Sequence, residues 1–151
     1  MLAAILLAPL FADHMVLQRD HLNAIWGTDT PQHVVTLTVE GDGGKAIVAG
    51  TVANGEPRLI RIDDSWLDMA PAPFMLMTRH QDKPGTMGRI GLILGEADVN
   101  ISSMTLARTA PQLDALMLLA VDDEVPDSVL AEIRNSPAVL DVWSIKAATD
   151  R

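Results

Sequence analysis

The sequence contains no cysteine, which excludes a disulfide framework, a thiol nucleophile and any cysteine-based zinc or iron–sulfur site. Aromatic residues make up 3% of it, so the core has to be assembled from Leu, Ile, Val, Ala and eight Met, with few flat surfaces for stacking. Basic residues are the minority. Against 20 Asp and Glu stand 11 Lys and Arg, a formal net charge of -9, which opposes binding to nucleic acid or to an anionic membrane surface. The apolar opening MLAAILLAPL, residues 1–10, falls short of the roughly 20 residues that a transmembrane helix needs, and it lacks the basic start of a secretory signal. It reads as a buried first strand, with a truncated signal core as the alternative. No Ser stands in a G-x-S-x-G elbow, and the glycines at 41–44 are not a dinucleotide fingerprint, because no strand–turn–helix unit surrounds them.

What is present fits more than one small unit in 151 residues. Residues 10–39 alternate short extended pieces with turn-formers such as Thr28-Asp29-Thr30-Pro31. Val35, Leu37 and Val39 alternate with Thr36, Thr38 and Glu40, the period of a half-buried strand. Asp42-Gly43-Gly44 is a flexible turn and is taken as a junction. Residues 46–52 and 58–62 then read as strands joined by Asn54-Gly55, the strongest short-range hairpin signal. Trp66 and Leu67 continue the ribbon, and Ala70-Pro71-Ala72-Pro73 stiffens the passage into the next unit. The expected division is therefore 1–44, a β-rich segment; 45–72, a hairpin; and 73–151, a further domain.

From Phe74 the predicted order is strand, helix 84–97, strand 100–108, strand 113–121, helix 126–135 and strand 139–146. This βαββαβ order is a ferredoxin-like plan, so the fold class is α+β. In the first helix Met87, Ile90, Gly91 and Leu94 form the face expected on the sheet. Gly85, Gly88, Gly91 and Gly95 each lower helix propensity by about 1 kcal/mol relative to Ala, implying close backbone contact or a helix that is not very rigid. Asp82-Lys83-Pro84-Gly85 separates strand from helix, with Pro84 expected in the first helical turn. Unpaired N–H groups at a helix start are donors already aimed at an arriving carboxylate, which suggests a small-anion or amino-acid site.

Two resemblances are carried by specific strings. LFADHMVLQRD, AIWG and VTLTVEG, within residues 10–39 and just beyond, resemble the opening strands of the sialate O-acetylesterase family, carbohydrate esterases of the serine-hydrolase type; the match stops before any catalytic residue. VAGTVANGEPRLIRID, HQDKPGTMGRIGLILGEADVNISSM and LDALMLLAVDDEVPDSVLAEI, within residues 45–146, resemble the C-terminal region of D-3-phosphoglycerate dehydrogenase, whose last part is an ACT domain. That second resemblance implies a ferredoxin-like βαββαβ ACT domain over 73–151, side-by-side pairing into a homodimer through the sheet, and an amino acid, L-serine in that family, bound between partners as an allosteric feedback inhibitor of serine biosynthesis. The positions that match the ligand site are His80, Asp82, Gly85 and, across the interface, Asn100. Asp82 would meet the ammonium, Asn100 the carboxylate or hydroxyl, and Gly85 would leave the backbone accessible.

Each residue also has a plainer role. Asp82 suits the helix dipole as a solvated carboxylate, His80 can be a surface histidine, and Asn100 suits the helix-to-strand turn. His14, His21 and His33 match no metal spacing, Asp122-Asp123-Glu124 reads as a solvated cap, and the methionines read as core filler. The expectation is a cytoplasmic, non-catalytic regulatory module that needs no cofactor or metal and binds L-serine or a similar small amino acid. The alternatives are a dimerisation module with a vacant pocket, or a fragment of a carbohydrate esterase. The nucleotide- and substrate-binding portions of the dehydrogenase are absent from the sequence, so it carries no catalytic machinery for that reaction.

Overall fold

The computed structural model describes residues 23–26, 34–41, 44–108 and 114–147. Residues 1–22, including the apolar opening, His14 and His21, and also His33, lie outside the described residues, as does most of the esterase-like stretch. Nine strands and two helices are described: β1 (Asn23–Trp26), β2 (Val35–Gly41), β3 (Gly44–Ala53), β4 (Glu56–Ile62), β5 (Ser65–Met69), β6 (Phe74–Gln81), α1 (Thr86–Glu96), β7 (Ile101–Arg108), β8 (Asp114–Val121), α2 (Asp127–Arg134) and β9 (Val139–Lys146).

β1 to β5 form one antiparallel sheet in sequence order. The expected boundary at 44 falls at the β2–β3 hairpin, where Gly41 pairs with Gly44, and the boundary at 72 falls between the sheets. Asn54 (φ 55) and Gly55 (φ 83) make the β3–β4 turn, both left-handed as a type I′ hairpin requires. Asp63, at the β4–β5 turn, holds the backbone N–H of Ile47 through Oδ1 at 2.9 Å and donates its own N–H to the Ile47 carbonyl at 2.7 Å.

The remaining strands form a second sheet in the order β7-β8-β6-β9, with every neighbouring pair antiparallel. With α1 after β6 and α2 after β8, this is the ferredoxin-like βαββαβ arrangement of an α+β fold. Strand pleating sends alternate side chains to opposite faces. Leu76, Met117, Leu119 and Val121 pack with Ile90, Ile93 and Leu94 of α1 and with Val129 and Ile133 of α2. Met75, Met77, Leu116, Leu118 and Ala120 pack instead with Leu37, Val48, Leu59, Ile62 and Met69 of the five-stranded sheet. The order of layers is sheet, sheet, helices.

The first helix differs from the expected 84–97. It begins at Thr86, because Gly85 takes φ 89 and ψ -15 and ends the preceding turn. Pro84 therefore lies before the helix, and the buried stripe is Thr86, Ile90, Ile93 and Leu94. Met87 is 43% exposed. Among the described residues a Cβ built on Gly85, Gly88, Gly91 or Gly95 meets nothing within 4 Å, so of the two implications of the glycines the close backbone contact is not made there.

Candidate functional site

The C-terminal ends of β6 and β7 lie at the same edge, because both strands run antiparallel to β8 between them. β6 stops pairing at Gln81, whose N–H reaches the Ala138 carbonyl at 2.8 Å. The chain then turns tightly: the Lys83 N–H bonds the Gln81 carbonyl at 2.8 Å, and Thr86 bonds the Lys83 carbonyl through its N–H at 3.3 Å and its hydroxyl at 3.0 Å. Helical bonding begins with the Arg89 N–H on the Gly85 carbonyl at 2.9 Å. No side chain caps the start of α1, and no acidic residue stands in its first turn.

This loop forms one wall of a cleft of about 360 Å³ lined by His80, Asp82, Lys83, Pro84, Gly85 and Gly88, with Met87, Leu106 and Arg108 completing it. Three of the four residues singled out in the sequence, His80, Asp82 and Gly85, thus share one cavity. Asn100 is elsewhere in the same chain. It precedes the start of β7, and Arg108 ends that strand seven residue steps after Ile101, roughly 23 Å at ~3.3 Å per residue. There the Asn100 amide donates to Asp122 Oδ2 at 2.7 Å, and the Asn100 carbonyl accepts the Asp122 N–H at 3.1 Å.

His80 is a buried histidine, 2% exposed, and not a surface one. Its Nδ1 lies 3.3 Å from the Thr78 hydroxyl. Burial lowers its pKa from the usual value, while the carboxylates of Asp82 and Asp114 pull the other way. A histidine held this way is neutral at pH 7 and presents an uncharged ring to the cleft. Asp82 is not a freely solvated carboxylate: its side chain is only 16% exposed, and Oδ2 sits 3.2 Å from Nε of Arg108, which is itself 55% exposed.

Arg108 was not among the residues the sequence singled out. On its own strand it reads as a charge at an exposed end, and only the parallel relation of β6 and β7 brings it to Asp82. That relation follows from the βαβ crossover, so the topology carried the signal and the local pattern did not. A second cleft, of about 210 Å³, lies where the two sheets meet, lined by Asp63, Asp64, Ser65, Arg79, Asp114, Ala115 and Leu116. Arg79 reaches Asp63 across it at 3.5 Å. Among the described residues no group of three metal-ligating side chains could hold an ion, and no helix is long and apolar enough to cross a membrane.

Comparison with known proteins places these features. Residues 74–138 match the ACT domain family. D-3-phosphoglycerate dehydrogenase from Synechocystis sp. is 37% identical over 111 residues, 73% of this chain and 20% of that protein. The protein of the same name from Methanocaldococcus jannaschii is 32% identical over 110 residues, 73% of this chain and 21% of its own length, and that from Archaeoglobus fulgidus is 32% identical over 117 residues, 76% and 22%. The chain spans about a fifth of the length of these relatives.

Proposed function

From an ACT domain at residues 74–138, homologous to part of D-3-phosphoglycerate dehydrogenases, we propose that this chain is a non-catalytic regulatory module that binds L-serine or a similar small amino acid. The observation that carries this reading is the convergence of His80, Asp82 and Gly85 on one cleft at the β6–α1 loop. ACT domains bind amino acids and commonly dimerise. The Asp82 carboxylate suits the ligand ammonium, neutral His80 offers a hydrogen bond that does not repel it, and Gly85 leaves the helix start open to a carboxylate.

Asn100 joins this site through a second copy. Among the described residues β7 is an edge strand, with β8 on one side only. Pairing β7 with its own copy about a two-fold axis runs the two strands antiparallel, which lays the start of one against the end of the other. Asn100 of the partner subunit then arrives near the Arg108 end, where the cleft lies. In a longer protein of the dehydrogenase type, occupation of two such sites would shift the populations of its catalytic arrangements. The proposed compartment is the cytoplasm.

Titration calorimetry of the purified chain with L-serine, run alongside light scattering, tests the reading. The expected result is saturable heat from a dimer; a folded dimer that gives no heat with L-serine or other small amino acids overturns it. The Asp82–Arg108 ion pair favours one competing reading, a dimerisation module whose cleft stays closed by its own charges. Asp82→Ala separates the two: ligand binding lost with dimerisation intact supports regulation, and no ligand effect in either form supports the structural role.

A further inference from the structure

We propose that Arg108 is the carboxylate-binding residue of this site, released from Asp82 when a zwitterionic amino acid enters. The inference rests on the proposed amino-acid site and names a group which that reading leaves out.

An α-amino acid carries its ammonium and its carboxylate on the same carbon, so a site for it needs a negative and a positive group side by side. Asp82 and Arg108 stand 3.2 Å apart and both line the cleft. Their settings are unequal. Asp82 is held with 16% of its side chain exposed, whereas Arg108 is 55% exposed and ends its strand. The carboxylate is therefore the fixed member and the guanidinium the one free to swing. Entry of a zwitterion replaces one ion pair with two, Asp82 to the ammonium and Arg108 to the carboxylate, and leaves the net charge of the cleft unchanged. A guanidinium presents two parallel N–H donors that match the two oxygens of a carboxylate.

Lys83 is the other cation lining the cleft. It is exposed and stands in the loop just before Pro84, and no ion pair holds its ammonium toward Asp82. It serves as the internal control.

The experiment is a chemical-shift titration of the full chain with L-serine and with ethanolamine, which is serine without its carboxylate, in wild type, Arg108→Gln, Arg108→Lys and Lys83→Gln. Hydrogen bonds between charged groups set the expected size: Arg108→Gln weakens L-serine binding about ten- to a hundredfold and narrows the preference for L-serine over ethanolamine by a similar factor. Arg108→Lys falls between, and Lys83→Gln keeps the preference of wild type. The proposal is overturned if Arg108→Gln binds L-serine as wild type does, if the two ligands weaken in parallel so that Arg108 only positions Asp82, or if Lys83→Gln is the variant that loses the preference. Wild type that binds neither ligand removes the amino-acid site and this inference together. Wild type that binds L-serine beside an indifferent Arg108→Gln removes this inference alone.

Discussion

β8 in the four-stranded sheet is buried along every residue after Asp114, whereas β5 in the five-stranded sheet alternates, with Trp66 68% exposed and Met69 2% exposed. The first has layers on both faces, helices on one and strands on the other; the second packs one face against its neighbour and turns the other to solvent. Strands buried on both faces need apolar residues at every position, which is why ALMLLAV shows no alternation. The difference also bears on function. With both faces of the four-stranded sheet covered, the surfaces left open among the described residues are its edges, β7 and β9, and the outer side of the helices. Met104 on β7, Met87 and Leu92 on α1, and Leu140 on β9 are exposed there.

The strongest way to break this comparison is to cut into each face of β8 in turn. Leu118 points to the five-stranded sheet and Leu119 to the helices, and both are at most 1% exposed. Each Leu→Ala change is expected to cost about 2–5 kcal/mol in guanidinium unfolding, through lost burial and the cavity left behind. Comparable losses mean that the two sheets share one core. A Leu118→Ala cost under about 1 kcal/mol would mean that the five-stranded sheet only leans on the other.

That shared core was partly legible beforehand. The six elements from Phe74 to Lys146 lie within a residue or two of expectation, because each boundary carries its own chemistry, such as Pro126 at the start of α2. The Asn54-Gly55 hairpin was legible for the same reason. Continuity of one sheet across residues 41–44 was not, since a glycine-rich linker and a hairpin turn look alike in sequence. Met87 is expected inward because 87, 90, 91 and 94 fit helical spacing, but the buried stripe Thr86, Ile90, Ile93 and Leu94 fits it as well, and a polar Thr in that stripe gives no apolar signal. At the candidate cleft, His80, Asp82 and Gly85 lie within six residues of one another, so their sharing one cavity is legible from sequence. Arg108 depends on two strands that do not touch, and no local pattern reports that.

Glycine substitutions on α1 sharpen the contrast between packed and open surfaces at a smaller scale. Gly85 holds φ 89, so Gly85→Ala is expected to cost about 1–2 kcal/mol through backbone strain alone, given that a Cβ there meets nothing. Gly91 lies within the helix with open space around it, and Gly91→Ala should stabilise by roughly 0.5–1 kcal/mol. Thermal unfolding measures both. A loss at Gly91 that grows with protein concentration would instead reveal a second copy seated on that side of the helix.

His80 gives a pH-dependent test of a buried group set beside the carboxylates of Asp82 and Asp114. Burial holds its folded pKa below the unfolded value of about 6.5. Above that value both states are neutral and the group contributes no slope. As pH falls below it, the unfolded chain takes the proton first, so stability drops until the folded pKa is passed. Between pH 7.5 and 5.5, His80→Gln should therefore lose less stability than wild type in parallel guanidinium titrations. Equal slopes would show that the ring titrates as freely in the folded chain as in the unfolded one.

The smallest effect is expected where a short distance is most misleading. Lys146 Nζ lies 2.6 Å from Glu124 Oε2, the same separation as a strong buried pair, but the two side chains are 60% and 56% exposed. Water screens the attraction, and fixing two long side chains costs entropy, so such pairs contribute under about 1 kcal/mol. The lysine also keeps a second partner when the carboxylate is removed, because its ammonium lies 5.6 Å from the centre of the Phe74 ring. Glu124→Gln should thus shift the unfolding midpoint only slightly, and added salt should erase the difference. A loss comparable to that of Leu118→Ala would mean that the β9 edge is covered in the assembled protein, since only exclusion of water would make this pair strong.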